Sequence, residues 1–148
     1  MKLKDFDFRI WSIKKEKYLD DLYNNIISLS SDKSIKGYNR NYKILAIEFS
    51  PYDSIPLMND NEECFEIELF TGLYDKKGKK VYENDIVKVK SLYDYFLAKI
   101  SIHKEGTFYF EGKNGDYIGS LIYLVEDEGY TIETIGNIHE NKKLLEGQ

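Results

Sequence analysis

From Phe65 to Ile138 the chain switches every few residues between a short patterned run and a turn former, and this punctuation limits the fold more than any other feature. Phe65-Glu66-Ile67-Glu68-Leu69-Phe70 alternates with period two, as a strand with one buried face does. Thr71-Gly72 and Asp75-Lys76-Lys77-Gly78 follow as turn signals. Val81-Tyr82 leads to a further turn at Glu83-Asn84-Asp85, and then to Ile86-Val87-Lys88-Val89-Lys90. Residues 97–103 set Ala98, Ile100 and Ile102 against Lys99, Ser101 and His103. Residues 107–110 read as a short strand closed by Gly112, with Asn114-Gly115 as a hairpin turn.

The flanks extend the pattern. Phe8-Arg9-Ile10-Trp11-Ser12-Ile13 alternates, and residues 18–23 and 26–29 are weaker strand candidates joined by an Asn24-Asn25 turn. Residues 30–40 are polar and read as a loop, whereas residues 42–49 are apolar on both faces, as in a strand covered on both sides. Residues 51–63 hold both prolines and the run Asn59-Asp60-Asn61-Glu62-Glu63, and so form the expected linker. Residues 117–125 fit a strand or a helix, 130–138 a strand, and 141–146 a short terminal helix. The expectation is a mainly β, β-rich α+β protein: a small barrel or sandwich with a short C-terminal helix. It divides into a β lobe over residues 1–60 and a barrel-like lobe over 61–148, or the two share one core.

Composition agrees with a folded domain. Hydrophobic residues make up 42% and charged residues 32%, outside the disordered range. The 13 Tyr and 8 Phe favour half-buried pleated surfaces, and Tyr also suits interfaces because it buries a ring and keeps a polar tip. A net charge of −5 keeps such a chain soluble and disfavours general nucleic-acid binding, which rests on neutralising phosphates. The single cysteine, Cys64, allows no internal disulfide, and no stretch is long and apolar enough to span a bilayer. The start, Met1-Lys2-Leu3-Lys4-Asp5, lacks the apolar core of a secretion signal, so the expected compartment is the cytoplasm, with no membrane partner.

Catalytic chemistry has little to draw on. His103, His139 and Cys64 are scattered without paired-ligand spacing, so no metal or other cofactor is expected. The segment from Gly72 to Lys80 looks superficially like a phosphate loop, but its spacing is one residue too long. Lys80 also stands where a hydroxyl must reach magnesium. The acid pairs Asp20-Asp21, Glu62-Glu63 and Glu126-Asp127-Glu128 lie in polar stretches and read as solvated charge rather than general acids and bases. No catalytic residue is expected.

One binding face follows from the pattern. If residues 86–90 pair with 97–103, then Lys88, Lys90, Lys99 and His103 share a face, with Tyr93 and Tyr95 in the connection. Basic residues interleaved with aromatics grip single strands or nucleotides. The plainer reading is that exposed lysines discourage strand-edge pairing.

Three segments together resemble the YopX family of phage and prophage proteins. Phe8-Arg9-Ile10-Trp11 is similar to its opening F-R-x-W. The block from Phe70 to Val87 is similar to T-G-L-x-D-x-x-G-x-x-[IV]-Y-E-G-D-[IV]-V, and the block from Ile132 to Asn141 to a closing I-E-V-I-G-N-I-Y-E-N. Asn84 stands where that pattern has Gly, and His139 where it has an aromatic. The residues of these blocks have physical readings of their own. Gly72, Gly78, Asn84, Asp85 and Gly136 read as turn formers, and Leu73, Val81, Ile86, Val87, Ile135 and Ile138 as core.

The resemblance implies a phage or prophage origin, a β-rich fold with an SH3-like barrel in the C-terminal half, and homo-oligomers. It supplies no substrate or catalytic residue. The first functional expectation is a non-enzymatic binding protein that engages a host protein. The alternative is a nucleic-acid or nucleotide binder using the basic face. An enzyme working with carboxylates alone ranks last, because it needs two acids together in a deep cleft.

Overall fold

The computed structural model describes residues 2–19, 26–30, 44–48, 54–57 and 65–146. Twelve strands run through them: β1 Phe8–Ser12, β2 Lys17–Tyr18, β3 Ile26–Ser30, β4 Ile44–Glu48, β5 Ser54–Leu57, β6 Phe65–Tyr74, β7 Lys80–Tyr82, β8 Asp85–Lys90, β9 Tyr95–Ile102, β10 Phe108–Glu111, β11 Tyr117–Ser120 and β12 Thr131–Asn137. Among the described residues helix is confined to short turns, including a π-type turn at Tyr123–Asp127 and the terminal helix α1, Lys143–Glu146. The segment over 117–125, open to either state by its pattern, is a strand followed by a helical turn. Among the described residues no helix is long and apolar enough to cross a membrane. Cys64, Asp20-Asp21, Asn24-Asn25 and Glu62-Glu63 lie outside the described residues.

The chain forms two compact units, one of residues 1–9 with 68–148 and one of residues 10–67. In the second unit, β3, β4 and β5 make an antiparallel sheet in that order. β5 falls inside the expected linker and includes Pro56 opposite Ala46. Among the described residues β5 is an edge strand, the place in a sheet where a proline is tolerated. The end of β1 pairs with β2 through Trp11 and Tyr18, whose rings meet edge-on at 4.9 Å.

In the first unit, five antiparallel strands in the order β11-β10-β9-β8-β12 form a curled half-barrel sheet. Alternation along β8 and β9 sends Val87, Val89, Ala98 and Ile100 inward, where they meet Val81, Phe110, Leu121 and Ile132 in a closed core. Ile86 is also fully buried, while Leu73, Ile135 and Ile138 are half-buried.

Two glycines expected in turns sit within strands instead. Gly72 lies in β6 at a break in the β6–β7 register with φ +86°, so it forms a bulge. Thr71 Oγ1 repairs the ladder there by donating to the Val81 carbonyl at 2.8 Å and accepting the Leu73 N–H at 3.2 Å. Gly136 lies at a register shift in β12, and a Cβ there would stand 2.7 Å from Asn141 Cβ, so close approach rather than a turn requires glycine. Gly78 and Asn84 are in turns and adopt positive φ, +82° and +68°.

Candidate functional site

The β8–β9 hairpin pairs Lys88 with Leu97 and Lys90 with Tyr95. Lys88, Lys90, Lys99 and His103 therefore follow one face by strand alternation, but the structure gives the two ends of that face different chemistry. At one end Lys99 forms an ion pair with Glu111, which also accepts from Ser101 Oγ at 2.8 Å. Burial pushes the Glu111 carboxyl up, and the bonds from Lys99 and Ser101 outweigh it and hold it below the usual range. His103 stacks on Tyr109 with ring centroids 4.0 Å apart. This end is a neutralised patch covered by rings.

The other end is basic. Lys88 Nζ stands 4.2 Å from the centre of the Tyr95 ring, and Lys90 is exposed. The hairpin tip is held by Ser91, whose hydroxyl accepts the Asp94 N–H at 3.2 Å and donates to the Asp94 carbonyl at 3.1 Å. Beyond that clasp, Leu92 is 89% and Tyr93 95% exposed.

The β6–β7 turn brings further lysines to the same end. Asp75 is buried and accepts the N–H groups of Lys77 and Lys79 on one oxygen, both at 2.9 Å, and that of Thr134 on the other at 3.1 Å. Burial alone raises the Asp75 carboxyl, and the three N–H bonds together bring it below its ordinary value. The Lys76 N–H donates to the Ile132 carbonyl at 2.9 Å, so the turn is fastened to β12 at two points. Lys76 and Lys77 then reach the two oxygens of Glu133 at 2.6 and 2.9 Å, which lowers that carboxyl to about 2.

A separate, buried polar cluster gathers residues of the three sequence blocks around Glu68, which lies outside them. Glu68 is fully buried and Asp85 is 1% exposed. Arg9 joins them: Nε donates to Glu68 Oε1 at 2.7 Å, and Nη2 reaches Asp85 Oδ1 at 2.8 Å and the Glu83 carbonyl at 3.2 Å. Asp85, expected as a turn former, instead opens β8 as a buried acid that also accepts the Tyr82 N–H at 2.8 Å. Burial raises its carboxyl above the ordinary value, against the pull of Arg9. Glu68 Oε2 accepts Asn84 Nδ2 at 2.6 Å and lies 3.0 Å from His139 Nε2. Alongside, Asp7 binds Lys80 Nζ at 2.7 Å and the Tyr82 hydroxyl at 2.6 Å.

Sequence reasoning missed Arg9 and Glu68. Glu68 shares the period-two pattern of its strand with Glu66, yet one is buried and the other exposed, and nothing local separates them. The pairing of acids here is interior, with Arg9 between them, so it serves as a buried ion-pair network rather than an open acid–base site. His139 joins that network, and His103 belongs to the ring stack.

The comparisons agree with this architecture. The sequence model described as YopX protein matches residues 7–146. Protein EF1440 from Enterococcus faecalis is similar in structure, with a TM-score of 0.54, 26% identity and coverage of 95% of this chain and 97% of that one. Protein yopX from Bacillus subtilis matches with a TM-score of 0.58 and 20% identity, over 93% of this chain and 96% of that one. No curated protein matches the chain.

Proposed function

Because this chain belongs to the YopX protein family, we propose that it is a phage- or prophage-encoded, non-enzymatic binding protein that engages a host protein in the bacterial cytoplasm, as a homo-oligomer. The observation that supports this most is the β8–β9 tip, where Leu92 and Tyr93 stand 89% and 95% exposed on a hairpin clasped by Ser91 and Asp94. An apolar residue and a tyrosine standing in solvent bury apolar area when a partner covers them. The state of the interior acids supports a non-catalytic role, since Glu68 and Asp85 spend their oxygens on Arg9, Asn84 and the backbone.

The test is affinity capture from host lysate, followed by size-exclusion chromatography with light scattering on the purified pair. A discrete host protein that co-elutes with the wild type and is lost with Leu92→Asp supports the reading. Capture that is unchanged by Leu92→Asp, or no capture from several hosts, counts against it.

A further inference from the structure

The lysines of β8 have no edge to protect. β8 lies between β9 and β12 in the sheet, so the plain explanation of Lys88 and Lys90 as guards against strand pairing does not apply. Instead they line a cavity of about 170 Å³ together with Lys76, Thr131, Ile132 and Glu133. Register explains the grouping, because β12 sets Thr131 opposite Lys90 and Glu133 opposite Lys88. The fastened β6–β7 turn supplies Lys76 from the far side, and Lys77 reaches Glu133 beside it. Lys76 and Lys77 thus pair with the Glu133 carboxylate, and Lys88 and Lys90 add two further cations to the cavity wall, on a chain whose net charge is −5.

One aromatic ring is tied to the cavity through Lys88, and a second stands in the adjoining hairpin tip. Tyr95, with Lys88 over one face, is 57% exposed, and Tyr93 is 95% exposed. The volume falls below the ~300–1,000 Å³ of pockets that enclose a small molecule. It suits a phosphate group on a strand lying across the surface.

We propose that Lys76, Lys77, Lys88 and Lys90 form a phosphate cradle for single-stranded nucleic acid, with Tyr93 and Tyr95 as stacking surfaces for its bases. Phosphate neutralisation supplies the affinity and tolerates any sequence, and each base offers a face to a ring. Glu133 holds Lys76 and Lys77 in place. This assignment shares Tyr93 with the protein-binding reading, and Leu92→Asp, which removes none of the four lysines or two tyrosines, separates the two.

The experiment is fluorescence anisotropy of the full chain with a labelled oligothymidylate of about ten nucleotides, over a range of salt. Four lysine contacts predict a log–log salt slope of roughly −3 for a single strand. Lys88→Glu plus Lys90→Glu is expected to abolish binding, while Lys2→Glu plus Lys104→Glu, an equal change in net charge at exposed sites, leaves most of it. Lys88→Gln plus Lys90→Gln, checked by circular dichroism, repeats the loss if the first pair disturbs folding. Tyr93→Ala plus Tyr95→Ala is expected to weaken binding by about tenfold or more. No binding at low salt overturns the proposal, as does equal loss in the control pair. Competition by polyglutamate as strong as by unlabelled oligothymidylate also overturns it, and points to an acidic protein partner. Preference for duplex of the same length overturns the single-strand assignment.

Discussion

Asn84 and His139 meet on one oxygen: Glu68 Oε2 lies 2.6 Å from the Asn84 amide nitrogen and 3.0 Å from His139 Nε2. These are two of the positions where the chain departs from the pattern it resembles. The Gly-to-Asn departure keeps the left-handed turn, with φ +68°, and adds a donor. The aromatic-to-His departure adds a second polar nitrogen beside the same acid.

If the two act together, their effects are not additive. Asn84→Gly relieves backbone strain but strips a bond to a buried acid, and the bond is the larger quantity, about 1.5–3 kcal/mol. The expected result is net destabilisation, measured by urea unfolding. His139→Phe should also destabilise. The double-mutant cycle should show a coupling of roughly 0.5 kcal/mol or more. Strict additivity would mean that the shared oxygen has no energetic content.

Arg9→Leu leaves Glu68 and Asp85 buried without their common cation. Removing one partner of a buried ion pair costs about 3–5 kcal/mol. A loss of that size should appear as a lower denaturation midpoint at unchanged slope. A change below about 1 kcal/mol would show that solvent reaches the cluster.

Acid should weaken the first unit. Asp7, Asp75 and Glu111 are each raised by burial and lowered further by their hydrogen bonds, ending below their ordinary values of 3.8, 3.8 and 4.5. Such groups stabilise the fold above the unfolded value, and that contribution disappears as pH falls through the folded one. Asp85 has the opposite sign: its raised carboxyl favours the fold at low pH and loses that contribution as pH rises above 3.8. With Glu133, also lowered, to about 2, four groups against one predict stability that falls below about pH 4.5. Asp75→Asn should flatten this acid limb, and at neutral pH should cost about 1–3 kcal/mol through the poorly matched Thr134 N–H.

Gly136→Ala and Gly72→Ala should both destabilise, for different reasons. At Gly136 a new Cβ meets Asn141 Oδ1 at 2.6 Å, and overpacking of that kind costs about 1–3 kcal/mol. At Gly72 nothing stands within 4 Å, and the cost comes from φ +86°, about 1–2 kcal/mol. Asn141→Gly should rescue the Gly136 change in thermal melts and leave the Gly72 change untouched.

Leu92→Asp should leave stability within about 0.5 kcal/mol, because the side chain is 89% exposed and bonds nothing in the fold. A larger loss would mean that the tip packs in solution.

Local pattern alone was enough to read the strand-rich class, the β8–β9 pairing and the terminal helix. Period-two alternation and turn formers act through burial of one face and through allowed φ, both properties of neighbouring residues. Thr71-Gly72 misled because a glycine with positive φ looks the same in a bulge as in a turn, and the ladder that distinguishes them is formed with Val81. The basic face was half legible. Alternation placed Lys88, Lys90, Lys99 and His103 together, but Glu111 from β10 cancels one end and Lys76 from a turn on β12 enriches the other.

The buried cluster was invisible in the sequence. Glu66 and Glu68 are the same residue type in the same alternating strand, and only the arrival of Arg9, 59 residues away from Glu68, makes one of them an interior ion. The sequence therefore determined where strands form and which way their side chains alternate, since those follow from contacts between near neighbours. Only the tertiary structure decided which charges lie inside, which are neutralised and which converge. Coulombic partners are chosen by distance in space, and chain separation places no limit on them.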